Sequence, residues 1–428
     1  MDRREFIGGT AASGIMLLKA RTAFGYEANS AVRIGLLGCG SRGTTVATSF
    51  AKNTPARIVA LADLFPDQLA AGKAHFDEVN AALGVPAIDP SLMFRGPRAF
   101  EELAASKEVD SIHISTPPWF HVEHLDAAIA GSKHAYCEKP LGVDVAQTRR
   151  ALEIGKRAEG KVSLDVGFQV RSAPPIAEVV RRIHGGDLGK LVCIEAHYNA
   201  PNAVSHTGAN WSADEFRLRN WLWDRVLSGD IIVEQNIHVI DLCNWIIGSH
   251  PLKAVATGGR NAGAGHGEMK GDTWDNYQVT YTYPDDVHVS FASTQWGSNG
   301  YFDVTERIFG EKGLAEAPYS GPVRIIGENA WAWTGSSPSQ DASQGGHGFA
   351  ANGAFNDNLE FADREKDRAF IESITSGKFH NQAEDGVNSA LSAMLGRMAG
   401  QRGHEVTWEE QLKHGERFTM TIDMKQFG

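Results

Sequence analysis

An apolar run from Val32 to Leu37 ends directly in Gly38-Cys39-Gly40-Ser41-Arg42-Gly43, and Arg42 to Lys52 continues with helical spacing. A short buried strand that enters a helix through a G-x-G-x-x-G turn restricts the fold more than any other stretch of this chain. Alone, the six residues are a weak signal. Placed after a strand and opening a helix, they form the dinucleotide fingerprint. Gly38 permits the tight turn. Gly40 lets backbone approach a pyrophosphate, and Gly43 lets helix and strand pack closely. Ser41 and Arg42 sit at the helix N-terminus, where free N–H groups and the positive dipole end attract phosphate.

The pattern then repeats. Ala56 to Ala62, Ser111 to Ser115 and His134 to Cys137 read as strands. Pro66 to Leu83, His121 to Ala130 and Val145 to Ala158 read as helices. Strands alternating with helices in such steps predict a doubly wound parallel sheet. This assigns residues 31–155 to an α/β Rossmann domain that binds NAD(P). Beyond about residue 155 the rhythm changes. Val162 to Val170, Leu191 to Asn199, Lys253 to Gly258, Tyr277 to Tyr283, Val287 to Thr294 and Thr305 to Phe309 read as strands, with Pro284-Asp285-Asp286 as a hairpin connection. Ile176 to His184, Asp363 to Ser376 and Glu384 to Arg402 read as helices. Residues 331–350 are rich in Ser, Gly and Gln and read as a long loop. Residues 156–428 are therefore expected to form an α+β domain with an open, mostly antiparallel sheet.

Residues 1–30 carry a different signal. Arg3-Arg4-Glu5-Phe6 precedes a mildly apolar run from Gly8 to Leu18 and the basic pair Lys19 and Arg21. This predicts a twin-arginine export signal, cleaved between about Ala20 and Ala31, and a periplasmic or otherwise exported protein. The run is too short to be a stable membrane anchor. That route carries folded proteins, so an exported nicotinamide enzyme must hold its cofactor tightly. The formal net charge of -11 argues against nucleic acid as a partner. The four cysteines, Cys39, Cys137, Cys193 and Cys243, show no C-x-x-C spacing, which predicts no zinc site and no disulfide framework.

Candidate site residues follow the strand ends, where open α/β sheets gather ligands. Asp63 closes the second strand about 25 residues past Gly38, the spacing of a ribose-binding acid. Its charge repels a 2′-phosphate and no Arg or Lys follows it immediately, which favours NAD over NADP. Ser115-Thr116-Pro117-Pro118-Trp119-Phe120-His121 and Cys137-Glu138-Lys139-Pro140 follow two further strands. A lysine at such a place can stabilise developing alkoxide charge or relay a proton.

G-x-G-x-x-G, the strand-end Asp63, Thr116-Pro117 with His121, and Glu138-Lys139-Pro140, in that order, resemble the Gfo/Idh/MocA (glucose–fructose oxidoreductase/inositol dehydrogenase) family. Gly167-Phe168-Gln169-Val170-Arg171 and Phe309-Gly310-Glu311-Lys312-Gly313 are similar to family segments as well. The resemblance implies cofactor contacts from Thr116, Pro117, His121, Glu138 and Lys139, a sugar or polyol substrate, and a homo-oligomer, dimer or tetramer. The family has Asp-x-x-x-His where this chain has Glu234-Gln235-Asn236-Ile237-His238, so His238 matches as acid/base while Glu234 is one methylene longer. Read as one helix, Glu234, His238 and Asp241 share a face. Gln169, Arg171, Asp241, Trp221 and Trp223 are candidate substrate contacts. The tryptophans suit a sugar's C–H face and equally suit packing at a domain or subunit seam. A metal site is not expected. The expected reaction is hydride transfer at a CH–OH carbon, with Lys139 and His238 catalytic and Glu234 assisting. A redox-neutral glycosidase or lyase working by oxidation, elimination and reduction is the alternative, and a non-catalytic sugar-binding protein a third.

Overall fold

The computed structural model describes residues 31–201, 206–208, 210–260, 271–295, 302–335 and 357–428. Residues 1–30, to which the sequence reading assigns an export signal, lie outside them, as does most of the predicted loop at 331–350. Its first residues, Trp331–Ala332, form a short strand instead.

The first sheet has six strands: β1 (Arg33–Leu37), β2 (Arg57–Asp63), β3 (Met93–Arg95), β4 (Ser111–Ile114), β5 (His134–Cys137) and β6 (Leu164–Val166). All pair in parallel, in the order β3-β2-β1-β4-β5-β6. Strand order reverses between β1 and β4, which opens the crevice where such folds bind ligands. The β1 and β4 burial patterns are almost wholly apolar or buried, as expected for strands covered on both faces. The helices begin where the sequence predicts, with small shifts. The helix expected from His121 starts at Pro118, whose missing N–H costs nothing at a first helical position.

The second sheet has nine strands: β7 (Leu191–Ala200), β8 (Lys253–Gly259), β9 (Asn276–Thr282), β10 (His288–Gln295), β11 (Asp303–Gly310), β12 (Gly313–Glu316), β13 (Arg324–Gly327), β14 (Trp331–Ala332) and β15 (Val406–Thr407). Only β7 and β10 run parallel; the other neighbours are antiparallel. One face packs on the helices Ile237–Ile247 and Ala383–Arg402, and the other carries exposed Val192, Val255 and Ile326. The Pro284–Asp286 connection does join β9 to β10, with Asp285 and Asp286 at φ 58° and 59°. Gly310 and Gly313 close the β11–β12 hairpin.

The sequence reading needs three corrections. The strand expected over Val162 to Val170 is confined to Leu164–Val166, because the chain turns after Gly167 into a 3-10 turn at Gln169–Ser172. The boundary at 155/156 moves, since β6 completes the parallel sheet and the helix Ala362–Ser376 packs back on it. Phe370 of that helix meets Phe50 and Tyr136 at 5.9 Å each. Finally, the helix expected through Glu234 is broken: Ile231–Glu234 ends at Gln235, and a new helix runs Ile237–Ile247.

Helices Val145–Ala158 and Ala383–Arg402 touch where Gly155 leaves room; a Cβ there would lie 2.4 Å from the Ala383 Cβ. We expect Gly155→Val to lower stability by about 1–3 kcal/mol through overpacking, read as a lower denaturant midpoint at unchanged slope.

Candidate active site

The glycine turn is built by close approach. Gly38 has φ 96°, and a Cβ on it would lie 2.6 Å from the Ser115 carbonyl oxygen. A Cβ on Gly43 would lie 2.1 Å from the Gly38 carbonyl oxygen. Gly40 differs: a Cβ there meets nothing within 4 Å, so this backbone faces open space. No side chain caps the helix Ser41–Asn53 that follows, which leaves its first N–H groups for an anion. Asp63 secures the turn from β2. Its carboxylate accepts the Cys39 N–H at 2.7 Å and the Phe65 N–H at 2.8 Å. Burial raises its pKa and these two hydrogen bonds oppose the rise. An open, uncapped helix start beside a strand-end carboxylate fits a dinucleotide.

Arg42 turns away from that opening. Its Nε donates to Glu138 at 2.9 Å, and its terminal nitrogens donate to Asp363 at 2.9 and 3.0 Å. His121 joins two site loops: Nε2 lies 2.6 Å from the Thr116 carbonyl and Nδ1 lies 3.0 Å from that of Pro140. Burial, reinforced by the Lys139 charge, lowers the His121 pKa to about 4, and the two carbonyl contacts oppose the fall. Pro117 precedes the helix Pro118–Ala130, and the Lys139–Pro140 peptide is cis.

Lys139 and Glu234 meet across the two domains. The Lys139 ammonium donates to Glu234 Oε1 at 2.6 Å and also to the Glu234 carbonyl, with both side chains about nine-tenths buried. His238 lies on the first turn of the next helix, edge-to-face with Phe168 at 6.2 Å, and its Nδ1 has no hydrogen-bond partner. Burial, then the charges of Lys139 and Arg42, hold its pKa well below 6.5. The imidazole is therefore neutral and able to accept a proton. Gln169 Oε1, Gln235 Oε1 and Asn236 Oδ1 are also buried without partners. Unmet polar atoms cost about 1–3 kcal/mol each, so four of them in neighbouring segments fit a polar ligand.

Other predicted residues serve differently. Arg171 grips Asp241 at 2.7 and 2.8 Å and Asp385 at 2.9 Å, while Asp241 also accepts the Ser389 hydroxyl at 2.7 Å. The helix break turns Asp241 to this brace, so Glu234, His238 and Asp241 do not share one task. Trp221 joins an apolar cluster with Leu64, Phe65, Trp119, Phe120 and Leu218, and Trp223 is buried. Among the described residues, no group of three or more His, Cys, Asp or Glu is arranged to hold a metal. Two residues escaped the sequence reading. Asp363 and Arg397 lie in helices remote in sequence, and no local motif marks them. Arg219 crosses from the second domain to Asp67, with 2.8 Å hydrogen bonds, and lies 3.9 Å over the Phe65 ring.

The fold and the glycine turn define a Rossmann-type nucleotide-binding protein, and comparison makes the class specific. Residues 32–166 match the model for the oxidoreductase family with an NAD-binding Rossmann fold, and residues 176–316 match the GFO/IDH/MocA C-terminal domain. The chain belongs to the Gfo/Idh/MocA oxidoreductase family. It is 26% identical to an inositol 2-dehydrogenase of Rhizobium meliloti (strain 1021) over 294 residues, 69% of this chain and 78% of that one. It shares the fold of a scyllo-inositol dehydrogenase from Lactobacillus casei with bound NAD(H) and scyllo-inositol (TM-score 0.65, 20% identity, 89% and 100% of the chains covered). A levoglucosan dehydrogenase in complex with NADH and levoglucosan has a TM-score of 0.68 at 16% identity, covering 88% and 99%.

Gly43→Ala should lower the melting temperature of the cofactor-free protein, since the new methyl meets backbone. Gly40→Val should leave that temperature unchanged yet abolish NAD binding by filling the open approach; calorimetric titration and thermal melts separate the two.

Proposed function

We propose that this protein is an exported NAD-dependent dehydrogenase that transfers hydride between a tightly held nicotinamide and a CH–OH carbon of a sugar or polyol. The observation that carries this is the Lys139–Glu234 ion pair, tied to the nucleotide-binding helix through Glu138 and Arg42, with the buried imidazole of His238 held neutral in part by the Lys139 charge. The nicotinamide, when bound, accepts or returns the hydride. His238 takes the hydroxyl proton as the carbon is oxidised. Lys139 places its ammonium against the oxygen and stabilises the developing alkoxide. Glu234 orients Lys139; its extra methylene, relative to the family's usual aspartate, still brings a carboxylate oxygen to the ammonium. Gln169, Gln235 and Asn236 offer uncharged amide groups to neighbouring hydroxyls. The inositol and levoglucosan dehydrogenases named above support a neutral, hydroxyl-rich substrate.

Asp63 and Asp67 favour NAD over NADP, because Arg219 is already neutralised by Asp67 and Glu215 and is not offered to a 2′-phosphate. Cofactor retention is supported by the apolar cluster around Phe65, which the C-terminal residues Met420, Ile422, Met424 and Phe427 complete. The twin arginines of the N-terminus support a periplasmic or otherwise exported location, and cell fractionation tests it. The exposed Val192, Val255 and Ile326 on the open sheet support self-association into a dimer or tetramer.

The direct test is to incubate purified protein with inositols, aldoses and anhydrosugars while following nicotinamide absorbance; no spectral change with any of them, NAD being bound, overturns the proposal. His238→Asn should reduce kcat by about 10²–10⁴-fold with NAD affinity intact. The unprotonated base is needed, and its pKa is depressed, so activity should be lost only as pH falls well below 6.5. An acid limb in kcat/KM centred at or above 6.5 would remove His238 from that role.

A further inference from the structure

We infer that Asp363, through Arg42 and Glu138, is a positioning residue for Lys139, and that the helix Ala362–Ser376 is thereby part of the catalytic apparatus. The inference rests on the dehydrogenase reading of Lys139. Both family models end by residue 316, so Asp363 lies outside each of them.

Glu138 precedes Lys139 directly and is 5% exposed. Its backbone N–H donates to the Ile114 carbonyl at 2.9 Å, which continues the β4–β5 pairing to the residue before the lysine. Its carboxylate is held from two sides. Oε1 accepts from Arg42 Nε, while Oε2 lies where Gly167 leaves space: a Cβ at 167 would come within 2.4 Å of it. Burial, with the Asp363 charge adding to it, raises the Glu138 pKa, and the Arg42 and Lys139 charges oppose this. A side chain so enclosed has one available position, and Lys139 inherits it through one peptide link.

The helix Ala362–Ser376 governs both sides of that enclosure. At its first turn, Asp363 takes both terminal nitrogens of Arg42, a fork that orients the guanidinium and leaves Nε aimed at Glu138. One turn later, buried Lys366 reaches Asp165 on β6 at 3.5 Å and Gln382 at 3.1 Å. Gln382 in turn accepts the Val166 N–H at 2.9 Å. Those contacts seat the strand that delivers Gly167 against Glu138. Phe370 fixes the helix itself on the sheet. The same helix therefore sets the cation on one side of Glu138 and the backbone on the other. Arg42 stands at the start of the nucleotide-binding helix, so nucleotide site and catalytic lysine share one rigid connection.

The test compares wild type with Asp363→Asn, Asp363→Glu and Arg42→Lys, all as full chains. The readouts are kcat, NAD dissociation constant, and the rate at which a water-soluble acylating reagent modifies Lys139, followed by peptide mass spectrometry. Loss of the fork should lower kcat by about 10- to 100-fold and speed Lys139 modification in Asp363→Asn, with NAD affinity unchanged and Asp363→Glu partly restoring both. Arg42→Lys, which keeps charge but loses the fork, should behave like Asp363→Asn and serves if that variant is poorly folded. A weaker NAD affinity with unchanged kcat would instead make Arg42 a phosphate ligand and overturn the inference; so would unchanged Lys139 modification. Should wild type reduce bound NAD with none of the inositols, aldoses or anhydrosugars tested, the dehydrogenase reading fails, while the modification rates still decide whether Asp363 acts on Lys139.

Discussion

The Lys139–Glu234 ion pair is the point on which the two domains agree. One partner follows β5 of the parallel sheet; the other ends a four-residue helix in the second domain. Both are nearly buried, and removing either partner of such a pair leaves a charge without compensation, typically costing about 3–5 kcal/mol. The pair also sets the local field. The ammonium acts on His238 and His121, and together with burial it keeps both imidazoles neutral. The domain contact and the neutral state of His238 thus both depend in part on the same charge.

Around that pair the site is rigid where it holds charge and unmet where a ligand belongs. Arg171, Arg42 and Arg219 are each engaged by two carboxylates. Arg397, buried, donates to the carbonyls of Gly229 and Val143, so it ties the segment before Glu234 to the segment after Lys139. By contrast, the amide oxygens of Gln169, Gln235 and Asn236 and the Nδ1 of His238 have no partner. Buried polar groups are ordinarily satisfied, and four unmet ones in the segments that flank Glu138-Lys139 and Glu234 fit an uncharged ligand with many hydroxyls.

Much of this was legible in the residues. The glycine turn, Asp63, the Thr116–His121 segment and Lys139 are local signals, because each depends on a strand end and the loop after it. The β-hairpin at Pro284–Asp286 was legible for the same reason. The break at Gln235 and Asn236 was not: the apolar spacing of Ile231 to Ile247 suits one long helix, and only packing decides that Glu234 turns to Lys139 while Asp241 turns to Arg171. The short strands β3, β12, β13 and β15 were missed because two to four residues carry too little periodicity to register.

By itself the amino-acid order determined the parallel Rossmann sheet and the position of the glycine turn. These depend on hydrophobic period and on backbone conformations that only glycine or proline accept, which are properties of a few consecutive residues. Tertiary structure decided which charges meet. Arg42 with Asp363, Arg171 with Asp241 and Arg219 with Asp67 are pairs between remote segments. Ion pairing depends on distance and burial, and nothing in the local sequence of either partner encodes the other.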